Sequence, residues 1–133
     1  MTRTTAKGTF DITVWTPQQP VHEGDGVTVQ LVTIDKTWHG DLTGSSVVTM
    51  LTATTPVENS RSYVAMERFE GTLYGRPGSF VVQHDAVSDA GAESLLARVV
   101  PDSATGELRG LRGEIGITIA PDGTHSYTFG HTL

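Results

Sequence analysis

Three stretches in which glycine interrupts strand-forming residues constrain this chain most: Lys36–Ser46 (KTWHGDLTGSS), Glu67–His84 (ERFEGTLYGRPGSFVVQH) and Val99–Gly116 (VVPDSATGELRGLRGEIG). Throughout the chain, runs of Val, Thr, Ile, Phe and Tyr alternate with clusters of Gly, Pro, Asp and Ser, and no window of helical length carries a 3.6-residue apolar repeat. Such a chain folds as antiparallel strands joined by tight turns. The pattern predicts eight strands near 8–16, 27–39, 42–54, 62–74, 79–86, 93–100, 108–120 and 124–132, with longer loops around 17–26, 55–61, 87–92 and 101–107. Ala92–Val100 (AESLLARVV) is the one segment with a helical alternative, but it runs into Pro101 and is too short to hold as a helix alone. A length of 133 residues gives one domain, 1–133, and is too short for two.

Side chains on paired strands share a face, so a correct turn assignment makes both strands apolar on the same side. A four-residue loop Gly75–Gly78 sets Tyr74 opposite Ser79, and Phe69, Gly71 and Leu73 then share a face with Phe80, Val82 and His84. Glu67 falls on that apolar face. A three-residue loop Pro121–Gly123 pairs Ile115, Ile117 and Ile119 with Phe129, Tyr127 and His125. A tight turn at Gly40-Asp41 opposes His39 to Leu42, which puts Val32, Ile34, Lys36 and Trp38 on one side with Thr43, Ser45, Val47 and Thr49. The other side of that hairpin carries Leu31, Val48 and Met50, so either face of strand 27–39 could be the interior one.

Eight antiparallel strands with an apolar face are expected to close as an up-and-down barrel, because closure removes the exposed edges of an open sheet. A two-layer sandwich is the alternative. Eight strands leave room inside for packed side chains or one small ligand. The net charge of −6 and the scatter of nine basic residues speak against nucleic acid. No apolar run is long enough to span a bilayer, the N-terminus (MTRTTAKG) lacks the apolar core of a secretory signal, and there is no cysteine. A cytoplasmic protein with no membrane partner is the expectation.

The string Ser103–Gly113 (SATGELRGLRG) resembles the turn-and-strand signature of barrels related to allene oxide cyclase and plant dirigent proteins. Together with Lys36–Leu42, Glu67-Arg68-Phe69, Gly78-Ser79-Phe80 and Gln83-His84, it makes nearly the whole chain similar to a largely bacterial family of domains of unknown function with that barrel. The resemblance implies an allene oxide cyclase-like barrel with a cavity for a small molecule and a homo-oligomer. It transfers no catalytic residue and no activity, since fold does not carry function across such a class.

Glu67 and His84 are the candidate catalytic pair. In the register above they are diagonal neighbours about 7–8 Å apart at the backbone, near enough to meet directly or through water. A carboxylate on an apolar inward face has a raised pKa unless it is paired, and it serves either as a structural group or as a proton carrier. Lys36 between Ile34 and Trp38 points either into the cavity or out to water along its flexible stem. Trp38, Tyr63, Phe69, Phe80, Tyr127 and Phe129 are candidates for an aromatic ligand wall, or simply for core. With Lys36, Glu67 and His84, all but Phe129 complete the expected ligand-binding set. His39, His125 and His131 are expected at the rim or in solvent.

The five histidines show no metal-binding spacing, so neither metal nor cofactor is predicted. No nucleophile elbow or phosphate loop is present, and Ser45, Ser46 and Ser79 have no visible base. Three readings stand: a barrel that binds a small, largely apolar molecule; an isomerase or cyclase that confines a reactive one, with proton transfer through Glu67 and His84; and a packed oligomeric scaffold acting through its surface.

Overall fold

The computed structural model describes residues 3–133. Its strands are β1 (Thr4–Gly24), β2 (Val27–Gly40), β3 (Leu42–Thr54), β4 (Arg61–Leu73), β5 (Arg76–Asp89), β6 (Ala92–Val99), β7 (Arg112–Ile119) and β8 (His125–Thr132). Each pairs antiparallel with the next, and β8 returns to β1, closing the barrel. No sandwich forms, and Ala92–Val99 is strand rather than helix.

Two expected loops are strand instead. β1 and β2 continue through the 17–26 region to a two-residue turn at Asp25-Gly26, whose positive φ values of 55° and 78° match the twist of a hairpin. Bulges between Ile12 and Val14, and again between Pro17 and His22, accommodate the prolines that made this stretch read as loop. Likewise β5 and β6 meet at the two-residue turn Ala90-Gly91. The β4–β5 connection is also shorter than expected. Tyr74-Gly75 forms the turn, Leu73 opposes Arg76, and Phe69 opposes Phe80, a register four residues from the expected one. An even slip leaves every side chain on its face, so the expected inward set survives.

The β2–β3 hairpin is a one-residue slip, which does exchange faces. Ile34 opposes Val48, Lys36 opposes Ser46 and Trp38 opposes Gly44. The buried side therefore holds Val32, Ile34, Lys36 and Trp38 with Ser46, Val48 and Met50, while Val47 is exposed. The Tyr127 hydroxyl sets this register: it accepts from the Leu42 amide at 2.9 Å and donates to the His39 carbonyl at 3.0 Å, so the connection wraps around a phenol from β8. The Pro121–Gly123 hairpin is as expected, with Ile117 opposite Tyr127.

The two ends of the barrel differ. At one end a continuous core packs Phe10, Trp38, Phe69, Phe80, Tyr127 and Phe129 with Leu42 and Leu73, and the β6–β7 connection folds across it with Leu108 and Leu111 fully buried. That connection includes a short 3-10 turn, Gly106–Leu108, and the strand expected from position 108 begins only at Arg112. Thr105 and Ser103 continue the hydrogen bonding along the start of β5, through Thr105 N to Ser79 O at 2.8 Å and Val81 N to Ser103 Oγ at 3.0 Å. The backbone of β5 is thus satisfied where β6 has already ended.

Close packing at this end depends on a row of small residues beside Trp38: Gly44, Gly71 and Gly78 lie side by side across β3, β4 and β5. A Cβ on Gly71 would meet the Thr43 carbonyl and come within 2.8 Å of the Gly44 Cα. Backbone cannot yield as a flexible side chain can. Gly71→Ala is therefore expected to lower stability by about 1–3 kcal/mol in urea unfolding, and an unchanged midpoint would show that the row is not tightly packed.

Candidate functional site

The inward faces of four consecutive strands bring Lys36 (β2), Ser46 (β3), Glu67 (β4) and His84 (β5) together near mid-barrel. Lys36 and Ser46 are direct partners, Glu67 opposes Val48 one pair along, and His84 opposes Ala65 one pair further. Strands in a closed barrel are tilted, so side chains at one height come from staggered positions on successive strands. The tilt turns a diagonal of residues into a cluster.

Glu67, 1% exposed, is the centre of that cluster. Its Oε1 lies 2.7 Å from His84 Nε2, its Oε2 accepts from Ser46 Oγ at 2.6 Å, and Lys36 Nζ straddles both oxygens at 3.4 and 3.3 Å. Burial alone pushes the Glu67 carboxyl pKa up, but the His84 hydrogen bond, the Lys36 charge and the Ser46 hydroxyl together hold it below its ordinary value. The carboxylate is paired, so the raised pKa of a lone buried acid does not arise. Lys36, 7% exposed, places its ammonium 4.4 Å from the Phe10 ring centroid and 5.6 Å from that of Trp38, so aromatic faces and a carboxylate share the charge.

The direction of the hydrogen bonds follows from one group. Trp38 Nε1 can only donate, and it lies 2.9 Å from Ser46 Oγ. Ser46 accepts there and gives its own hydrogen to Glu67. The ionised carboxylate can only accept, so His84 must present Nε2–H to it, and the proton position on the imidazole is assigned by this chain. In the neutral ring Nδ1 then carries the lone pair, and it is buried and without a partner among the described residues.

Above this layer the barrel is hollow. A cavity of about 1020 Å³ opens at the end away from Leu108 and Leu111, walled by Val32, Ile34, Val48, Met50 and Ile117, with Lys36 and His84 on its floor. Tyr63 lines it too, with its ring 6.5 Å from that of His84 and its hydroxyl pKa raised by burial and then by the negative charge of Glu67. The wall is incomplete between β6 and β7, which pair only at Arg98–Glu114 among the described residues. Consecutive residues of both strands, Ser94-Leu95 and Ile117-Thr118-Ile119, line the same cavity, as they can where strands part and the space reaches through the sheet.

Of the residues the sequence singled out, Lys36, Tyr63, Glu67 and His84 come together at or beneath the cavity floor. Trp38, Phe69, Phe80, Tyr127 and Phe129 do not line it: they belong to the packed end, where Phe69 and Phe80 pack in a tilted pair at 4.9 Å and the Tyr127 hydroxyl is committed to the β2–β3 connection. His39 is exposed and pairs with Asp11 at 3.0 Å, in keeping with a rim position. His131 is not at the rim. It is 5% exposed and stacks on Phe129 at 4.9 Å, because β8 continues across the packed end. His125 is half-buried against Phe10 at 4.9 Å and lines the cavity. Ser46, Phe10 and the aliphatic wall were missed. The signal for them was present, since the register that unites Val32, Ile34 and Trp38 with Val48 and Met50 makes both strands of the β2–β3 hairpin apolar on one side. Among the described residues, no three His, Asp or Glu side chains converge to hold a metal ion.

Residues 6–131 match a family model described as "Protein of unknown function (DUF3224)". The chain belongs to the DUF3224 family. A crystal structure of a DUF3224 protein of unknown function from Shewanella oneidensis MR-1 is 39% identical, with a TM-score of 0.92 over 99% of this chain and 98% of that one. None of the curated proteins matches this chain.

Glu67→Gln preserves shape and removes the charge that Lys36 faces. It is expected to cost about 3–5 kcal/mol of stability at neutral pH, because it leaves a buried cation uncompensated. The folded Glu67 pKa lies below the ordinary 4.5, so its contribution is present above that value and is lost as pH falls through the lower folded value. The gap between wild type and variant in denaturant unfolding should therefore narrow as pH is taken below 4.5; a gap independent of pH would mean that Glu67 is not the ionised centre.

Proposed function

We propose that this DUF3224 barrel binds a small, largely apolar molecule in its open half. The observation that carries this reading is the cavity of about 1020 Å³ itself, with apolar walls and with Lys36, Tyr63 and His84 among the residues that line it. Cavities of that size suit drug-sized molecules, and apolar walls with a few convergent polar groups are the usual composition of a small-molecule site. The hollow half also weighs against a wholly packed scaffold, which needs its interior filled.

The carboxylate–imidazole pair supports a second reading, an isomerase or cyclase that confines a reactive molecule. The saturated, low-pKa Glu67 is a poor proton acceptor, so in this reading the proton passes through His84 while Glu67 fixes the ring and stabilises the imidazolium. Binding requires less of the site than turnover does, and it is the reading the geometry favours.

Ala86 lines the cavity opposite Tyr63 and is not part of the buried charge cluster. Ala86→Trp fills the space there. It is expected to weaken binding of the neutral fluorophore Nile red by about tenfold or more, with little change in unfolding temperature. Equal binding by a folded variant would place the apolar site elsewhere.

A further inference from the structure

An antiparallel barrel packs one face of its sheet and wets the other, so its strands alternate apolar inside with polar outside. The last hairpin obeys this rule: outside, β7 carries Glu114, Gly116 and Thr118 beside Gly130, Thr128 and Ser126 of β8. β2, β3 and β4 break it. Their outward side chains form three rows of paired residues, Leu31–Leu51–Val64, then Thr33–Thr49–Met66, then Asp35–Val47–Arg68. The five large apolar members are each between 37% and 53% exposed. Scattered exposed apolar residues need no explanation, but a contiguous patch across three neighbouring strands marks an interaction surface. It lies on the opposite face of the sheet from Ile34, Val48 and Glu67, so the cavity does not account for it.

We infer that this face is the interface of a two-fold dimer, in which β3 of one copy lies over β3 of a second copy of the chain. The charges select this occupant and its orientation. Asp35 and Arg68 flank Val47 in one row, with opposite signs on the two outer strands. Within a chain they are two strands apart, about 10 Å, and do not meet. Asp35 has no ion-pair partner among the described residues, and Arg68 pairs only with Glu70, at 3.1 Å on the same strand. A two-fold axis running along β3 between the copies turns β2 of one over β4 of the other and keeps each row over itself. Asp35 then faces Arg68 of the second copy, twice over, on either side of the two Val47 side chains. Leu31 faces Val64, and Leu51 faces its own equivalent on the axis. Glu70, one row beyond, faces Thr37 and meets no like charge. A two-fold axis across the strands instead sets Asp35 on Leu31 and Arg68 on Val64, covering each charge with an apolar side chain. Self-complementarity of both the charges and the apolar row fits a second copy in the first arrangement and not in the second.

Analytical ultracentrifugation of the full chain tests this. The unmodified protein is expected to sediment as a dimer of the 14.2 kDa chain. Leu51→Lys sets two ammonium groups against each other on the axis, and is expected to raise the dimer dissociation constant about a hundredfold while the circular dichroism of the barrel is unchanged. Arg68→Glu faces Asp35 with a like charge and is expected to raise it about tenfold or more; adding Asp35→Arg to that variant exchanges the two signs and is expected to restore most of the loss. A monomer at about 100 μM would overturn the proposal and give the face to a different partner. A dimer indifferent to Leu51→Lys would place the interface elsewhere and overturn it equally. A dimer that Leu51→Lys breaks but the exchanged charges do not restore would overturn the pairing of Asp35 with Arg68 across the axis.

Discussion

A carboxylate inside an apolar barrel must be satisfied or protonated, and the way Glu67 is satisfied organises the rest of this molecule. Its oxygens draw a lysine, a serine and a histidine from three other strands to one level of the barrel. Those partners are in turn fixed: Ser46 by Trp38, and Lys36 by the faces of Phe10 and Trp38. The polar layer is therefore rigid, and each hydrogen bond in it has a defined direction. Partly satisfied buried networks are costly, and among the described residues only one buried side-chain polar atom, His84 Nδ1, is left over.

That layer separates two halves with different physics. Below it, aromatic rings and four leucines fill the barrel, the glycine row lets the sheet close tightly, and the Val100–Leu111 connection seals the end. Above it, the side chains are smaller and mainly aliphatic, the long β1–β2 arm rises with Trp15 and Pro17 facing the space, and β6 and β7 part company. A container that is rigid at its base and open at its mouth can bind without paying to reorganise its floor. Lys36 and His84 sit where the two halves meet, and they make the floor more than a hydrophobic surface.

Much of the barrel was legible in the sequence because strand alternation and turn chemistry are local signals. The register at Pro121–Gly123 could be read outright, and Glu67 and His84 were identified as neighbours although the β4–β5 turn lies elsewhere, since a slip of four residues keeps faces and leaves this pair diagonal in either register. The β2–β3 hairpin could not be read from its turn, because a hydroxyl nearly ninety residues away determines how the chain passes from Trp38 to Gly44. The same non-local logic hid Ser46, which becomes a partner of Glu67 only in the correct register, and misplaced Trp38, Phe69, Phe80 and Tyr127. An inward aromatic reads the same in sequence whether its end of the barrel is filled or open. What decides it is the β6–β7 connection, whose role as a plug depends on tertiary contacts of Leu108 and Leu111.

The direction of the hydrogen bonding around the ionised Glu67 shows in the proton position of His84, and nitrogen-15 NMR of the histidine-labelled protein at mildly alkaline pH reads it directly. The expected spectrum has the His84 proton on Nε2, coupled to the Glu67 carboxylate, with Nδ1 bare. A bare Nε2 with the proton on Nδ1 would contradict the ionised Glu67 at the centre of the network.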